Sequence, residues 1–307
     1  MEISQLRYLV TIAEEQGFTQ AARKLRLSQP SLSLAIKKLE EEIGQPLFDR
    51  LTRKVLPTEA GERMIEMAQR ILSDIDRTSH EIRDMKGGVT GVLRVGAIPT
   101  ISPFALPAIL QAFCSTYPAV DVQVTENVTS HILELLEQGE IDVALVSTIP
   151  DRPGIHTDLA ANENLVAIVN ADHRLAGERQ IDSAELENER FLLLSDEHCL
   201  TSQVSWFCRK NRIAGNTRLE GTQLATIAAL VSHGLGVSLV PASMAEVSTR
   251  EGCRFLPVVN PTPSRPLHIA WSVLRYRTQA GREFARIAKD ILAASAGSTN
   301  DDLVKTA

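Results

Sequence analysis

Apolar residues recur at two periods along this chain: three to four residues apart over roughly the first 85 positions, then in short strand-like runs beyond Gly91. Leu6, Leu9, Val10 and Ala13 mark one face of a helix from about Ser4 to Glu15 that ends near Gly17. Thr19 is placed to cap a short second helix, Gln20 to Leu25, which turns Ala21, Ala22 and Leu25 inward, and Arg26 to Ser28 form the turn before a third. Ser28 is a favourable N-cap for that third helix, and Pro30 is tolerated in its first turn because the missing N–H would have no intrahelical partner. Leu32, Ile36, Leu39 and Ile43 give it an apolar face; beside that face run Gln29, Ser33 and Lys37 at four-residue steps, with Pro30 and Ser31 in the same first turn. After Gly44, Leu47, Phe48, Leu51, Val55 and Leu56 alternate with Arg50, Arg53 and Lys54 like a two-stranded wing, which closes an N-terminal domain over 1–58.

Thr58 then caps a longer helix, with Glu59 and Glu62 at its positive end and Lys86, Gly87 and Gly88 as its stop. The segment 59–88 is read as this linker helix, and roughly 28 helical residues within it would make a rod of about 42 Å. Met64, Ala68, Ile71, Ile75, Thr78, Ile82 and Met85 step alternately by four and three, the spacing of a coiled-coil seam. A lone rod cannot bury such a seam, so a homodimer is expected, with packing against its own domain as the alternative.

From Gly91 the runs VLRVGAI, DVQVTE, IDVALVS, LVAIV, FLLLS, GVSLVP and LHIAWS alternate with helical patterns, which predicts repeated strand-helix units and a parallel sheet with a crevice at the strand ends. The regulatory part is placed at 89–297, and 298–307 is expected to be a disordered tail. Apolar residues make up 44% and charged residues 23%, an ordinary globular balance, and 307 residues favour two or three folding units over one core. No apolar run approaches the roughly 20 residues a bilayer demands, and the N-terminus does not read as a signal peptide. Four cysteines are too few for a secreted disulfide framework, so a cytoplasmic setting without a membrane partner is expected.

Net charge is −6, which allows nucleic-acid contact only through a local basic surface. Residues 1–60 supply one: nine Lys or Arg against eight acids, eight of the nine lying between Arg23 and Lys54 with four acids. On that surface Gln29 can bond adenine through two atoms, Ser33 can reach a base edge or phosphate, Lys37 suits phosphate, and arginine from the wing can enter a minor groove. A merely solvated helix face is the plainer alternative.

Residues 18–61, FTQAARKLRLSQPSLSLAIKKLEEEIGQPLFDRLTRKVLPTEAG, resemble the LysR family signature across its whole DNA-binding domain. The resemblance implies an α/β protein with an N-terminal winged helix-turn-helix, a linker helix and a two-subdomain sensor like a periplasmic solute-binding protein. Subdomain I would span 91–161 and 267–297, and subdomain II 162–266, with the cleft between them. It also implies double-stranded promoter DNA and RNA polymerase as partners, and homodimers that pair into homotetramers.

Cys199 and Cys208 lie in HCLTSQVSWFC, just after FLLLS, where a helix is expected from about Leu200 to Asn211. The helix dipole and a protonated His198 would each lower the pKa of Cys199, although for a single intracellular cysteine an inert buried hydrophobe is the plainer reading. The motif resembles the peroxide-sensing OxyR subgroup, whose reactive cysteine follows histidine and whose resolving cysteine comes nine residues later. That likeness implies a redox-active Cys199–Cys208 pair, a peroxide pocket at Thr100, Thr129, His198 and Arg265, and a thiol reductant such as thioredoxin or glutaredoxin. Thr201 and Ser202 depart from it, standing where the subgroup usually carries a charged pair. Helix capping is the alternative for the two threonines, and a surface ion pair for Arg265. Nine helical residues would hold the two Cα atoms about 13.5 Å apart and on opposite faces, against the roughly 7 Å a disulfide tolerates between them, so closure would require the helix to unwind.

Other functions compete. A regulator that binds a small metabolite in the cleft, its cysteines incidental, is the nearest alternative. A metabolic enzyme finds no phosphate loop, HExxH or CxxC in the sequence, and neither a cofactor nor a metal is expected. An exported solute-binding protein would need a signal peptide.

Overall fold

The computed structural model describes residues 1–49, 55–84, 88–187, 189–213, 219–221, 223–247 and 252–302. The chain separates into an N-terminal unit through residue 87 and a larger C-terminal unit from Gly88.

In the N-terminal unit, α1 (Ile3–Glu15), α2 (Phe18–Leu25) and α3 (Gln29–Ile43) precede a two-stranded wing, β1 (Phe48–Asp49) and β2 (Leu56–Pro57), and then α4 (Glu59–Asp84). Leu6, Leu9, Ile12, Ala21, Ala22, Leu32, Ile36 and Leu39 are all buried in one core, joined by Leu47 and Phe48 of the wing. Ser28 caps α3 as expected, its Oγ accepting from the Ser31 N–H at 3.2 Å, and Gly44 ends that helix in the left-handed region at φ 79°. The Thr58 hydroxyl likewise accepts from the Gly61 N–H at 3.1 Å at the start of α4. Gly61 is required there, because a Cβ would lie 2.0 Å from the Leu47 carbonyl oxygen. Thr19 does not cap α2; the helix begins at Phe18, with Gly17 as N-cap, and the Phe18 ring packs edge-on against Phe48 at 5.8 Å. That long-range aromatic contact draws Phe18 into the helix and leaves Thr19 inside it.

The C-terminal unit runs β3 (Gly91–Ala97), α5 (Ser102–Thr116), β4 (Val120–Glu126), α6 (Thr129–Gln138), β5 (Val143–Val146), β6 (Ile155–Asn170), β7 (Ile181–Asp182) and β8 (Leu192–Leu194). It continues with α7 (Cys199–Lys210), β9 (Leu219–Gly221), α8 (Leu224–Ser232), β10 (Ser238–Pro241), α9 (Ala242–Val247), β11 (Cys253–Val259), β12 (Ser264–Ser272) and α10 (Gln279–Asp302). The sheet is mixed, not parallel as the strand-helix alternation predicted. β4-β3-β5 pair in parallel, whereas β12 is antiparallel to β5 and β6, and β10 and β11 are antiparallel to β6. The reason is β6: residues 155–164 pair with β12, and 165–170 continue into the pairing with β10 and β11, so one 16-residue strand serves two cores.

Those cores are distinct. One gathers Leu93, Val95, Ile109, Phe113, Ile132, Leu145, Ile269 and Phe284; the other gathers Leu165, Ile168, Leu192, Val204, Ile227, Leu239 and Leu256. β6 and β12 therefore carry the chain between two subdomains as one antiparallel ladder, with an irregularity between Leu267 and His268. The C-terminus also differs from expectation: α10 stays helical through Asp302 where a disordered tail was placed from 298, continuing a helix docked by Phe284, Ala288 and Leu292 although Gly297 and the five polar residues after it are weak helix formers.

Candidate functional site

α7 begins at Cys199 itself, with His198 as N-cap residue in extended conformation and no side-chain cap bond. The Thr201 hydroxyl donates to the Leu194 carbonyl at 2.9 Å and fixes the first turn to the end of β8. Leu200, Val204 and Phe207 bury the helix in the second subdomain, while Gln203 Nε2 reaches the other way and donates to the Ser147 carbonyl at 2.6 Å. The helix thus spans both cores. Cys199 packs against the first and Cys208 against the second, both as free thiols.

The thiols border different cavities. Cys199 lines one of about 530 Å³ with Gln203, Trp206, Lys210 and Pro266; Cys208 lines one of about 390 Å³ with Phe191, Asp196 and Arg209. Cys208 is pushed up to about 11 by burial, which penalises the thiolate. Burial also raises the Cys199 thiol, and it prevails over the influences that favour ionisation: the Arg265 guanidinium, the Thr129 hydroxyl, and the backbone N–H groups of Leu200 and Cys199. This corrects the expected lowering. The helix start contributes as anticipated, but the charge acting on Cys199 is Arg265 and not His198, and loss of hydration outweighs it.

Arg265 lies inside the protein and not on a surface. Its Nη1 donates to Thr100 Oγ1 at 2.7 Å, Nη2 to the Thr100 carbonyl at 2.8 Å and Nε to Glu163 Oε2 at 2.8 Å. Arg265 and Thr129 thus act on Cys199, Thr100 reaches it only through Arg265, and His198, itself buried, is next along the chain. Sequence reasoning missed Glu163 and Gln203. Glu163 had one signal: it is an acid set in a strand that is buried further along, where an ionised group demands a partner. Among the described residues, no group of three or more His, Cys, Asp or Glu side chains is placed to hold a metal ion.

On α3, Gln29, Pro30, Ser31 and Lys37 are exposed and Ser33 is half-buried. Gln29 Nε2 donates to Ser33 Oγ at 3.1 Å, and Lys37 lies 3.7 Å from Glu41. Arg50 and Arg53 lie outside the described residues. Along α4 the seam divides. Ile71 and Ile82 are exposed, and Met64 and Ile75 are partly so, but Ala68 is fully buried in the core of its own unit. Ala68 is thus corrected from an interchain to an intrachain contact, because the first turns of α4 pack on α1.

The chain matches the bacterial regulatory helix-turn-helix protein model of the lysR family over residues 3–62 and the LysR substrate binding domain over 86–293. It is 32% identical to the DNA-binding transcriptional dual regulator OxyR of Escherichia coli over 94% of this chain and 96% of that protein. A cysteine-to-serine variant of Corynebacterium glutamicum OxyR, solved with H2O2 bound, is 34% identical with a TM-score of 0.66, covering 97% and 96% of the two chains. Full-length CbnR in complex with its target DNA is 25% identical with a TM-score of 0.75, covering 95% and 100%. The helix-turn-helix unit, the two-core sensor and these matches along nearly the whole chain make this protein a member of the LysR family of DNA-binding transcription regulators, within its OxyR group and not an enzyme.

Proposed function

We propose that this regulator responds to hydrogen peroxide through Cys199, with Cys208 as its resolving partner. The observation that carries this is the setting of Cys199: a thiol at a helix start, bordering a cavity, with the Thr129 hydroxyl and the cation of Arg265, which Thr100 holds, both favouring its ionised form. The Cys199 thiolate attacks one peroxide oxygen, the O–O bond breaks, and hydroxide leaves, its charge favoured by the nearby cation. The Cys208 sulfur then attacks the sulfenic acid, an S–S bond forms and water departs. Peroxide is reduced and the two thiols are oxidised.

Because α7 holds the thiols on different cores, closing the bond unwinds the helix and repacks the second subdomain. Altered subunit arrangement then changes the grip on promoter DNA through Gln29, Pro30, Ser31, Ser33 and Lys37, with Arg50 and Arg53 from the wing. RNA polymerase is the downstream partner, a thioredoxin or glutaredoxin resets the thiols, and the cytoplasm is the compartment. No described helix is long and apolar enough to cross a membrane. Support comes from the peroxide-bound relative and from the name shared by several relatives, hydrogen peroxide-inducible genes activator.

One stoichiometric dose of peroxide, followed by peptide mass spectrometry, is expected to yield a Cys199–Cys208 link and altered promoter footprints. Two free thiols after that dose would favour the second reading, a metabolite in the cavity of about 530 Å³, a volume within the range of small-molecule sites.

A further inference from the structure

Glu163 and Arg265 are cross-strand partners in the ladder between β6 and β12, the two strands that carry the chain from one core to the other. Their side chains form an ion pair at 2.8 Å, with 7% and 0% of their respective surfaces exposed. Buried charges need full compensation, and here the arrangement supplies it. Glu163 Oε2 accepts from Arg265 Nε, Glu163 Oε1 accepts from the Ser243 backbone N–H at 3.1 Å, and the remaining guanidinium bonds go to Thr100. Thr100 sits between Ile98 and Ile101 of the first core, and Ser243 between Ala242 and Met244 of the second. The pair ties the two subdomains together.

Arg265 is also the charged side chain that draws Cys199 toward its ionised form. A lone guanidinium is a monopole whose field reaches far through a poorly screening interior; with a carboxylate clamped to it, it becomes a dipole whose field falls off faster. We propose that Glu163 sets the reactivity of Cys199 as a positioning residue: it fixes the Arg265 guanidinium between the subdomains and offsets its charge. Cys199 is then drawn toward thiolate less than a free guanidinium would draw it. This inference rests on the reading of Cys199 as the reactive thiol. Other groups about that thiol include Thr129 on α6, His198 before α7, and Ser202, Gln203 and Lys210 on the shared cavity wall, while Glu246 lines the cavity beside Glu163 and Arg265; all of them are retained when Glu163 is substituted.

The test is the pH dependence of Cys199 alkylation by iodoacetamide in the reduced full-length chain, read by mass spectrometry in a Cys208→Ser background. Glu163→Gln keeps an oxygen for Arg265 but removes the charge, so the midpoint should fall by about one pH unit, equivalent to roughly tenfold faster alkylation at a fixed pH below it. The double variant Glu163→Gln/Arg265→Gln should return the midpoint to the parent value or above, because Glu163 acts through Arg265. The glutamine amide cannot accept from both Arg265 and Ser243, so folding is checked by circular dichroism. If that variant does not fold, Glu163→Asp keeps the charge but cannot span both partners, and its midpoint should move down by a smaller amount. An unchanged or higher midpoint in the folded variant overturns the proposal, as does a double variant that alkylates like the single one. Failure of the parent protein to form its disulfide with peroxide would count against peroxide sensing and leave this alkylation result standing.

Discussion

Cys199 and Cys208 occupy one unbroken helix, yet each leans on a different hydrophobic core. The separation of about 13.5 Å that helical geometry imposes exceeds disulfide reach, so a link between them and an intact α7 are mutually exclusive. Hydrogen exchange checks this directly. Backbone amides from Val204 to Cys208 are expected to exchange at least about tenfold faster in the linked form, since their i to i−4 bonds are lost. Equal protection in both redox forms would mean that the helix had not opened. Cys199→Ser should abolish the response and leave promoter affinity in the reduced state unchanged.

Burial of Cys208 also makes a prediction for stability against pH. Loss of hydration pushes its thiol up to about 11 in the fold, well above the ordinary range of an exposed cysteine. The folded state therefore holds its proton to higher pH than the unfolded chain does. The associated stability is fully present below pH 9 and is lost as pH rises through about 11. Discounted for partial exposure, the loss is on the order of 2 kcal/mol. Urea unfolding of the reduced protein and of Cys208→Ala at pH 8 and pH 10.5 checks it: the stability gap between them should shift against the parent as pH rises. Other titrating groups cancel in that difference.

What the sequence discloses tracks how local each cause is. Ser28 caps α3 and Gly44 ends it through contacts within a few residues, and both were legible. Thr19 misled because Phe18 answers to Phe48, thirty positions away. β6 was legible only in its apolar half, since Asn162, Glu163 and Asn164 interrupt the run, and the carboxylate among them finds its partner 102 residues on. Thr100, Thr129 and Arg265 entered through family likeness alone. Gln203 spans 56 residues to Ser147, a bond that periodicity cannot register.

The division of α4 separates two kinds of substitution. Ala68 is fully buried against its own unit, so Ala68→Leu overpacks that core and should lower the stability of the N-terminal unit by about 1–3 kcal/mol. Ile82 is 57% exposed in the single chain, and Ile82→Asp should leave that stability nearly unchanged while weakening self-association at least about tenfold. Sedimentation velocity and differential scanning calorimetry on both variants separate the effects. An Ile82→Asp protein that associates like the parent would remove the seam from consideration.

The exposed start of α3 makes a different division, between reading bases and holding phosphates. Gln29 is fixed toward Ser33 by a 3.1 Å bond, an arrangement that holds its amide in one orientation before DNA arrives. A preorganised amide suits bidentate contact with adenine, so Gln29→Ala should cost about 1–3 kcal/mol on the preferred operator and much less on mismatched sequences. Lys37 faces solvent with Glu41 at 3.7 Å, a weak pair that a phosphate readily displaces. Lys37→Ala should therefore weaken binding to all sequences alike and reduce the slope of log affinity against log salt by about one. Fluorescence anisotropy with matched and scrambled duplexes over a salt series reads both quantities together. A Gln29→Ala protein that loses affinity equally for the two duplexes would place that residue on the backbone and not on a base.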